Sequence, residues 1–241
     1  MLNFIKLTPF FKNIYKKLNN QYERDSFVIA ELKKIPDNKI LLDAGCGSQR
    51  YRQFCDHLVY KSQDFGKYKI DQKKMIGTDY SNDIDVYKYG DLDYIGDIWK
   101  IDEKNETFDV ILCTEVLEHI PYPIDTIKEF NRLLKKDGKL ILTAPSNCLR
   151  HMDPFFFYSG FSDRWYEKVL NDNDFNIEFI ETVGDYYSWL AVEIARTAKT
   201  NSFFCKLLLL PAFFYFYNKK KTILSIDSLC MGYHLLAKKV T

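Results

Sequence analysis

The strongest constraint on this chain is a set of short apolar runs separated by helical patterns. KILLDAG (39–45) has no period-two alternation, as expected of a strand covered on both faces, and such strands belong to parallel sheets. LVYKSQDF (58–65), LDYIGDI (92–98), FDVILCTEVLEHI (108–120) and KLILTAPS (139–146) supply further strands, the third running into a turn. DFNIEFIETVG (174–184) and CMGYHLLAKK (230–239) read as the sixth and seventh. A helix over about 22–34 ends before Pro36, and SQRYRQFCDHL (48–58) reads as another. DTIKEFNRLLKKDGK (125–139) is a third, with Ile127, Phe130, Leu133 and Leu134 on one face and Gly138 as its stop. Strands alternating with helices predict parallel β-α-β units and a doubly wound α/β sheet.

Composition narrows the class. Of 241 residues, 46% are hydrophobic and 28% charged, which suits a globular chain with a sizeable core. The formal net charge of +1 gives a nucleic-acid partner no support from the chain as a whole. The six cysteines form no CxxC and no Cys/His cluster, so neither a metal site nor a disulfide framework is expected, and a reducing, cytoplasmic compartment is. At the N-terminus, Phe4, Leu7, Phe11, Ile14, Tyr15 and Leu18 alternate with lysines at helical spacing. With no small-residue cleavage site, that segment is expected to be an amphipathic helix and not a signal peptide.

LLDAGCGSQRYRQF (41–54) is where chemistry first shows. Glycines at a strand-to-helix junction let the backbone approach a ligand and aim helix N-terminal amides at it. Asp64 closes the next strand about 20 residues on, where a carboxylate meets ribose hydroxyls. Dinucleotides and S-adenosylmethionine both fit this much. The dinucleotide fingerprint wants Gly or Ala where this chain has Arg50.

LLDAGCG, the strand-closing acid, GDI, FDVILCTEVLEHI and RLLKKDGKLILTAPS together resemble the class I S-adenosylmethionine-dependent methyltransferases over about residues 38–182. SQDFGKY, CTEVLEHIPYP, LILTAPS and RHMDPFFFYSGF are similar, more narrowly, to bacterial methyltransferases associated with surface-glycan biosynthesis. The resemblance implies a Rossmann-like, seven-stranded, mostly parallel sheet with an antiparallel last strand and a helical insertion between strands six and seven. Its implied organisation is an N-terminal helical segment (1–36), a cofactor-binding core (37–184), a hydrophobic helical insertion (185–229) and a final strand (230–241). Carried over by position, Asp43, Gly45 and Gly47 line the methionine end of the cofactor, with Cys46 adding a main-chain contact. Asp64 holds the ribose diol, Phe65 flanks the adenine, and Asp97 and Ile98 meet its amino group and ring. Thr114 and Glu115 border the sulfonium. The chain departs from many relatives at Gln49, where they carry a third glycine, and MIGTDYS offers Asp79 as a rival to Asp64, which spacing favours.

Methyl transfer needs an aligned nucleophile and, for a hydroxyl acceptor, a base. His119, just beyond the fourth strand, and His151, beyond the fifth, are the candidates. Asp153, Tyr158 and Trp165 are candidate substrate contacts. The expected activity is methyl transfer to a small-molecule or glycan acceptor at oxygen, the alternative being a cofactor-binding subunit without catalysis. SFFCKLLLLPAFFYFYNKKK is too short and too interrupted by Pro211 to span a membrane. Two readings of 203–221 stay open: packing on the domain or in a homodimer, and contact with a membrane surface through Lys219–Lys221.

Overall fold

The computed structural model describes residues 20–68 and 89–241. The described residues divide into two compact units, one formed by 27–181 with 233–241, the other by 182–232 with 20–26. The N-terminal amphipathic pattern at 4–18 and Asp79 lie outside the described residues.

A seven-stranded sheet organises the fold. Its strands are β1 (Ile40–Ala44), β2 (Val59–Asp64), β3 (Tyr94–Ile95), β4 (Phe108–Thr114), β5 (Leu134–Pro145), β6 (Phe175–Val183) and β7 (Gly232–Lys239), in the order β3-β2-β1-β4-β5-β7-β6. The pairs β1–β2, β1–β4, β2–β3 and β4–β5 are parallel. Met231 N–H donates to the Val183 carbonyl and Val240 N–H to that of Asp174, so β7 runs antiparallel to β6. The sheet is thus mostly parallel, as its apolar runs imply, with the antiparallel last strand that the resemblance implies. Leu41 and Leu42, successive residues facing opposite sides of β1, are both fully buried. That is the reason KILLDAG shows no alternation.

One face of the sheet is covered by the helix α1 (Asn20–Leu32), whose Val28 and Leu32 join Leu41, Val110, Leu112, Ile141 and Leu236 in a continuous core. Elsewhere α2 (Pro123–Leu133) buries Ile127, Phe130 and Leu133, and α3 (Asp163–Asp172) buries Tyr166, Val169 and Leu170. Between β6 and β7 stand α4 (Tyr186–Thr200), α5 (Phe203–Tyr217) and α6 (Ile223–Ser228). Asp185 organises this segment: its Oδ1 accepts from the Ser188 amide and hydroxyl, and its Oδ2 from the Ser225 hydroxyl at 2.8 Å.

Two local expectations are corrected. Residues 48–58 form no α-helix, only a single 3-10 turn over Arg52–Phe54. Gln49 sits at φ +58°, and its side chain reaches away to donate to the Asp91 carbonyl at 2.6 Å, which interrupts any helix starting at the glycines. Nor does Gly138 end a helix. The helix stops at Leu133, and β5 starts at Leu134 because pairing with β4 begins at Phe108. A Cβ at Gly138 would come within 2.8 Å of the Lys135 carbonyl oxygen, so that residue serves a crowded strand irregularity.

Candidate active site

The strand order reverses between β1 and β4, and in such sheets the crevice that binds ligands lies beyond the carboxyl ends of the strands at that point. β1 delivers Asp43 there, followed by Gly45 and Gly47 at φ +71° and +51°. β4 delivers Thr114, then Glu115 and Val116. The two loops touch. A Cβ at Gly45 would lie 2.6 Å from both methyls of Val116, so glycine is required there by conformation and by space alike.

The glycine amides have partners inside the protein, and this revises the expectation that they form the N-terminus of a helix aimed at a ligand. Gly45 and Cys46 N–H both donate to the Gln63 carbonyl, at 2.9 and 3.0 Å. Gly47 N–H donates to Asp64 Oδ2 at 3.0 Å, while Gly66 N–H donates to Asp64 Oδ1 at 3.1 Å. Asp64 therefore clamps the loops after β1 and β2 together. Cys46 offers no free amide, and its carbonyl accepts from Gln49 N–H at 2.8 Å.

Two buried acids, Asp43 and Asp64, stand at the ends of β1 and β2. Asp43 is 2% exposed and accepts from the Tyr60 hydroxyl at 2.6 Å. Burial pushes its carboxyl up to about 7, the Tyr60 bond pulling it down and the Asp64 charge adding to the rise. Burial also raises Asp64, against the donors Gly66, Gly47, Phe65 and Tyr89. Burial thus disfavours the charged form of both carboxylates, and a cation placed beside them would offset that cost. S-adenosylmethionine carries an ammonium and a sulfonium, so this pair suits it.

On the β2–β3 side, the register pairs Asp64 with Ile95 and carries the chain on to Asp97, exposed, and Ile98, buried. Gln63 Nε2 donates to the Gly96 carbonyl at 2.7 Å and fixes that turn. The Phe65 ring meets Phe155 edge-on at 4.9 Å. Thr114 lies opposite Thr143 of β5, whose hydroxyl donates to Glu115 Oε1 at 3.1 Å, and Glu115 N–H donates to the Thr143 carbonyl. Glu115 is thus turned toward β5.

The two candidate histidines come together. Their rings cross at 85° with centroids 4.7 Å apart. His119 Nδ1 lies 2.6 Å from the Phe155 carbonyl and His151 Nδ1 lies 2.8 Å from that of Leu149. A carbonyl can only accept, so Nδ1 carries a hydrogen in each ring. His119 is pushed down to about 4, first by burial and then by the neighbouring His151. Buried Glu118 approaches His119 Nε2 at 3.6 Å. Among the described residues, Glu118, His119 and His151 are the group able to hold a metal ion, their candidate atoms lying within 4.8 Å of one another.

Of the substrate candidates, Tyr158 and Trp165 both pack on Phe161. Asp153 pairs with Arg150, and the Tyr158 hydroxyl donates to the Pro121 carbonyl at 3.3 Å. Trp165 packs on Phe161 and Tyr166, with centroids at 4.5 and 5.2 Å. Sequence reasoning passed over Tyr60, Gln63, Val116, Glu118 and Phe155, which hold the site together. Only Glu118 carried a local signal, a carboxylate inside the apolar VLEHI.

A family model described as a methyltransferase domain matches residues 17–188. An uncharacterized protein of Methanocaldococcus jannaschii is 28% identical over 155 residues, which cover 63% of this chain and 60% of that one. The ubiquinone biosynthesis O-methyltransferase of Haemophilus ducreyi is 44% identical over 45 residues, 19% of each chain. The chain thus spans less than two thirds of the first relative and about a fifth of the second. Among solved structures, a geranyl diphosphate methyltransferase bound to S-adenosylmethionine superposes with a TM-score of 0.55 at 15% identity, covering 90% of this chain and 85% of that one. The [4+2]-cyclase SpnF gives 0.54 at 18% identity over 91% and 81%. Those two likenesses show the shared fold. With more than half of its length matched by the family model, the chain belongs to the methyltransferase-domain family.

Proposed function

We propose that this protein binds S-adenosylmethionine in the crevice between β1 and β4 and transfers its methyl group to an oxygen of a small-molecule or glycan acceptor. The observation that carries this reading is the pair of buried carboxylates, Asp43 and Asp64, whose proton affinity burial has raised. When bound, the cofactor supplies an electrophilic sulfonium methyl. Asp43 attracts its cationic amino-acid end, and Asp64, while bracing both loops, accepts from the ribose diol. Asp97, on the exposed edge beyond β3, accepts from the adenine amino group, and Ile98 offers its main-chain N–H. Val116, packed on Gly45, fixes the distance between the two loops and so aligns donor and acceptor. His151, half-buried beyond β5, accepts the acceptor hydroxyl's proton at Nε2, and His119, held neutral, sets the orientation of the His151 ring.

An oxygen acceptor draws support from the match to ubiquinone biosynthesis O-methyltransferases. A glycan acceptor draws on the narrower motif resemblance in CTEVLEHIPYP and RHMDPFFFYSGF. The reading is tested by incubating the protein with labelled S-adenosylmethionine and nucleotide-sugar or envelope extracts, with mass detection of a gain of one methyl. A second reading, a cofactor-binding subunit without catalysis, is favoured by the low proton affinity of His119. Cofactor binding with no methylated product from any extract would select it.

A further inference from the structure

Helix α5 breaks the rule by which surface helices are built. A helix exposed on one side is ordinarily polar on that side. Here the residues that face outward are apolar: on a 100°-per-residue wheel, Phe203, Phe204, Leu207, Leu208, Leu210, Pro211 and Tyr215 fall within about 160° of arc. Phe203 and Phe204 are each 79% exposed and Leu208 is 74% exposed. The opposite side is where α5 meets α4, with the Phe216 ring stacked over Tyr187 at 6.4 Å. In the next helix, Ile223 and Leu224 are 80% and 77% exposed.

Charge around this face is mainly positive, with Asp227 in α6 as an exposed acid beyond it. Residues 201–226 contain Lys206, Lys219, Lys220 and Lys221 and no aspartate or glutamate. The Lys219 ammonium lies over the Tyr215 ring, 4.6 Å from its centroid, a cation–π contact that places positive charge beside the apolar face. Pairing this face with its copy across a two-fold axis would set lysines against lysines. An anionic lipid surface offers the complement: acyl boundary for the aromatic and leucine side chains, headgroups for the rim. The helix cannot cross. It has 15 residues with Pro211 inside, and among the described residues no helix is long and apolar enough to span a membrane.

We propose that α5 and the start of α6 form a monotopic membrane-docking surface for anionic lipid. The inference stands on this segment alone and holds whatever the crevice between β1 and β4 binds.

The test is co-sedimentation of the full chain with vesicles of phosphatidylcholine alone and of phosphatidylcholine with about a third phosphatidylglycerol. Binding to the anionic vesicles is expected to exceed binding to the neutral ones by at least about tenfold and to weaken as salt rises. The double variant Phe204→Glu/Leu208→Glu is expected to lose at least about tenfold, and each of Lys219→Gln, Lys220→Gln and Lys221→Gln about fivefold. These positions are solvent-exposed, so an unchanged thermal melt serves as the folding control. No partition to either vesicle would overturn the proposal, as would binding left undiminished in the double variant. So would a dimer in sedimentation velocity that the double variant dissolves, since a second copy would then own the face.

Discussion

Replacing Asp43 by asparagine separates what the buried carboxyl does for the fold from what it does for a ligand. Its proton affinity rises from the ordinary 3.8 to about 7, with burial as the main cause. The sign follows from linkage: the folded chain keeps the proton where the unfolded chain has released it, so the cofactor-free protein loses stability as pH climbs from 3.8 and levels off above 7. At 1.36 kcal/mol for each pH unit, the loss is about 1.6 kcal/mol at pH 5 and about 4 kcal/mol at pH 8. Asparagine has the shape of the protonated acid, keeps an oxygen to accept from Tyr60 and does not titrate. Asp43→Asn is therefore expected to be more stable than the wild type without cofactor, by an advantage that widens by about 3 kcal/mol between pH 5 and pH 8. Urea unfolding of both proteins at the two pH values measures it. The same variant should bind S-adenosylmethionine at least about tenfold more weakly at pH 8, having lost the charge that faces the cationic end. An offset between the two proteins that is the same at both pH values would refute the reasoning, because it would mean that Asp43 is ionised in the fold throughout.

Three further outcomes follow from the site and the core. His151→Ala should lower kcat by about 100-fold or more while leaving S-adenosylhomocysteine affinity within about twofold, read by a KM-against-kcat split. Exhaustive dialysis against a chelator should leave activity unchanged if His151 accepts the proton unaided; loss restored by a divalent cation would give the Glu118–His119–His151 group a metal and displace the base assignment. Phe130→Ala, which empties a fully buried position on α2, should cost about 3–5 kcal/mol in urea unfolding.

Much of the sheet was readable because its central strands are buried on both faces and so stand out as unbroken apolar runs. Asp43 was readable as the single acid closing such a run, and Asp64 by its distance from the glycines that follow Asp43. Residues 48–58 misled because the partners of the glycine amides lie on β2: Gln63 and Asp64 capture the N–H groups that a helix would have presented. Gly138 misled similarly, since strand pairing with Phe108 overrode a local helix-stop signal. Helix α3 went unpredicted although its signals are local. Ser162 caps it by accepting from Trp165 N–H, and Tyr166, Val169 and Leu170 follow at helical spacing. The pairing of His119 with His151 could not be read at all, because it depends on the Phe155 carbonyl 36 residues away in sequence.

Calorimetric titration of S-adenosylhomocysteine into the wild type and into Asp64→Asn reaches the central claim most directly. The crevice described above predicts saturable one-to-one binding by the wild type, no heat with NAD, and a loss of about 100-fold in the variant, whose thermal melt should still be cooperative because the amide oxygen can keep one loop bond. Absence of binding by the wild type, or equal affinity in the two proteins, would contradict it.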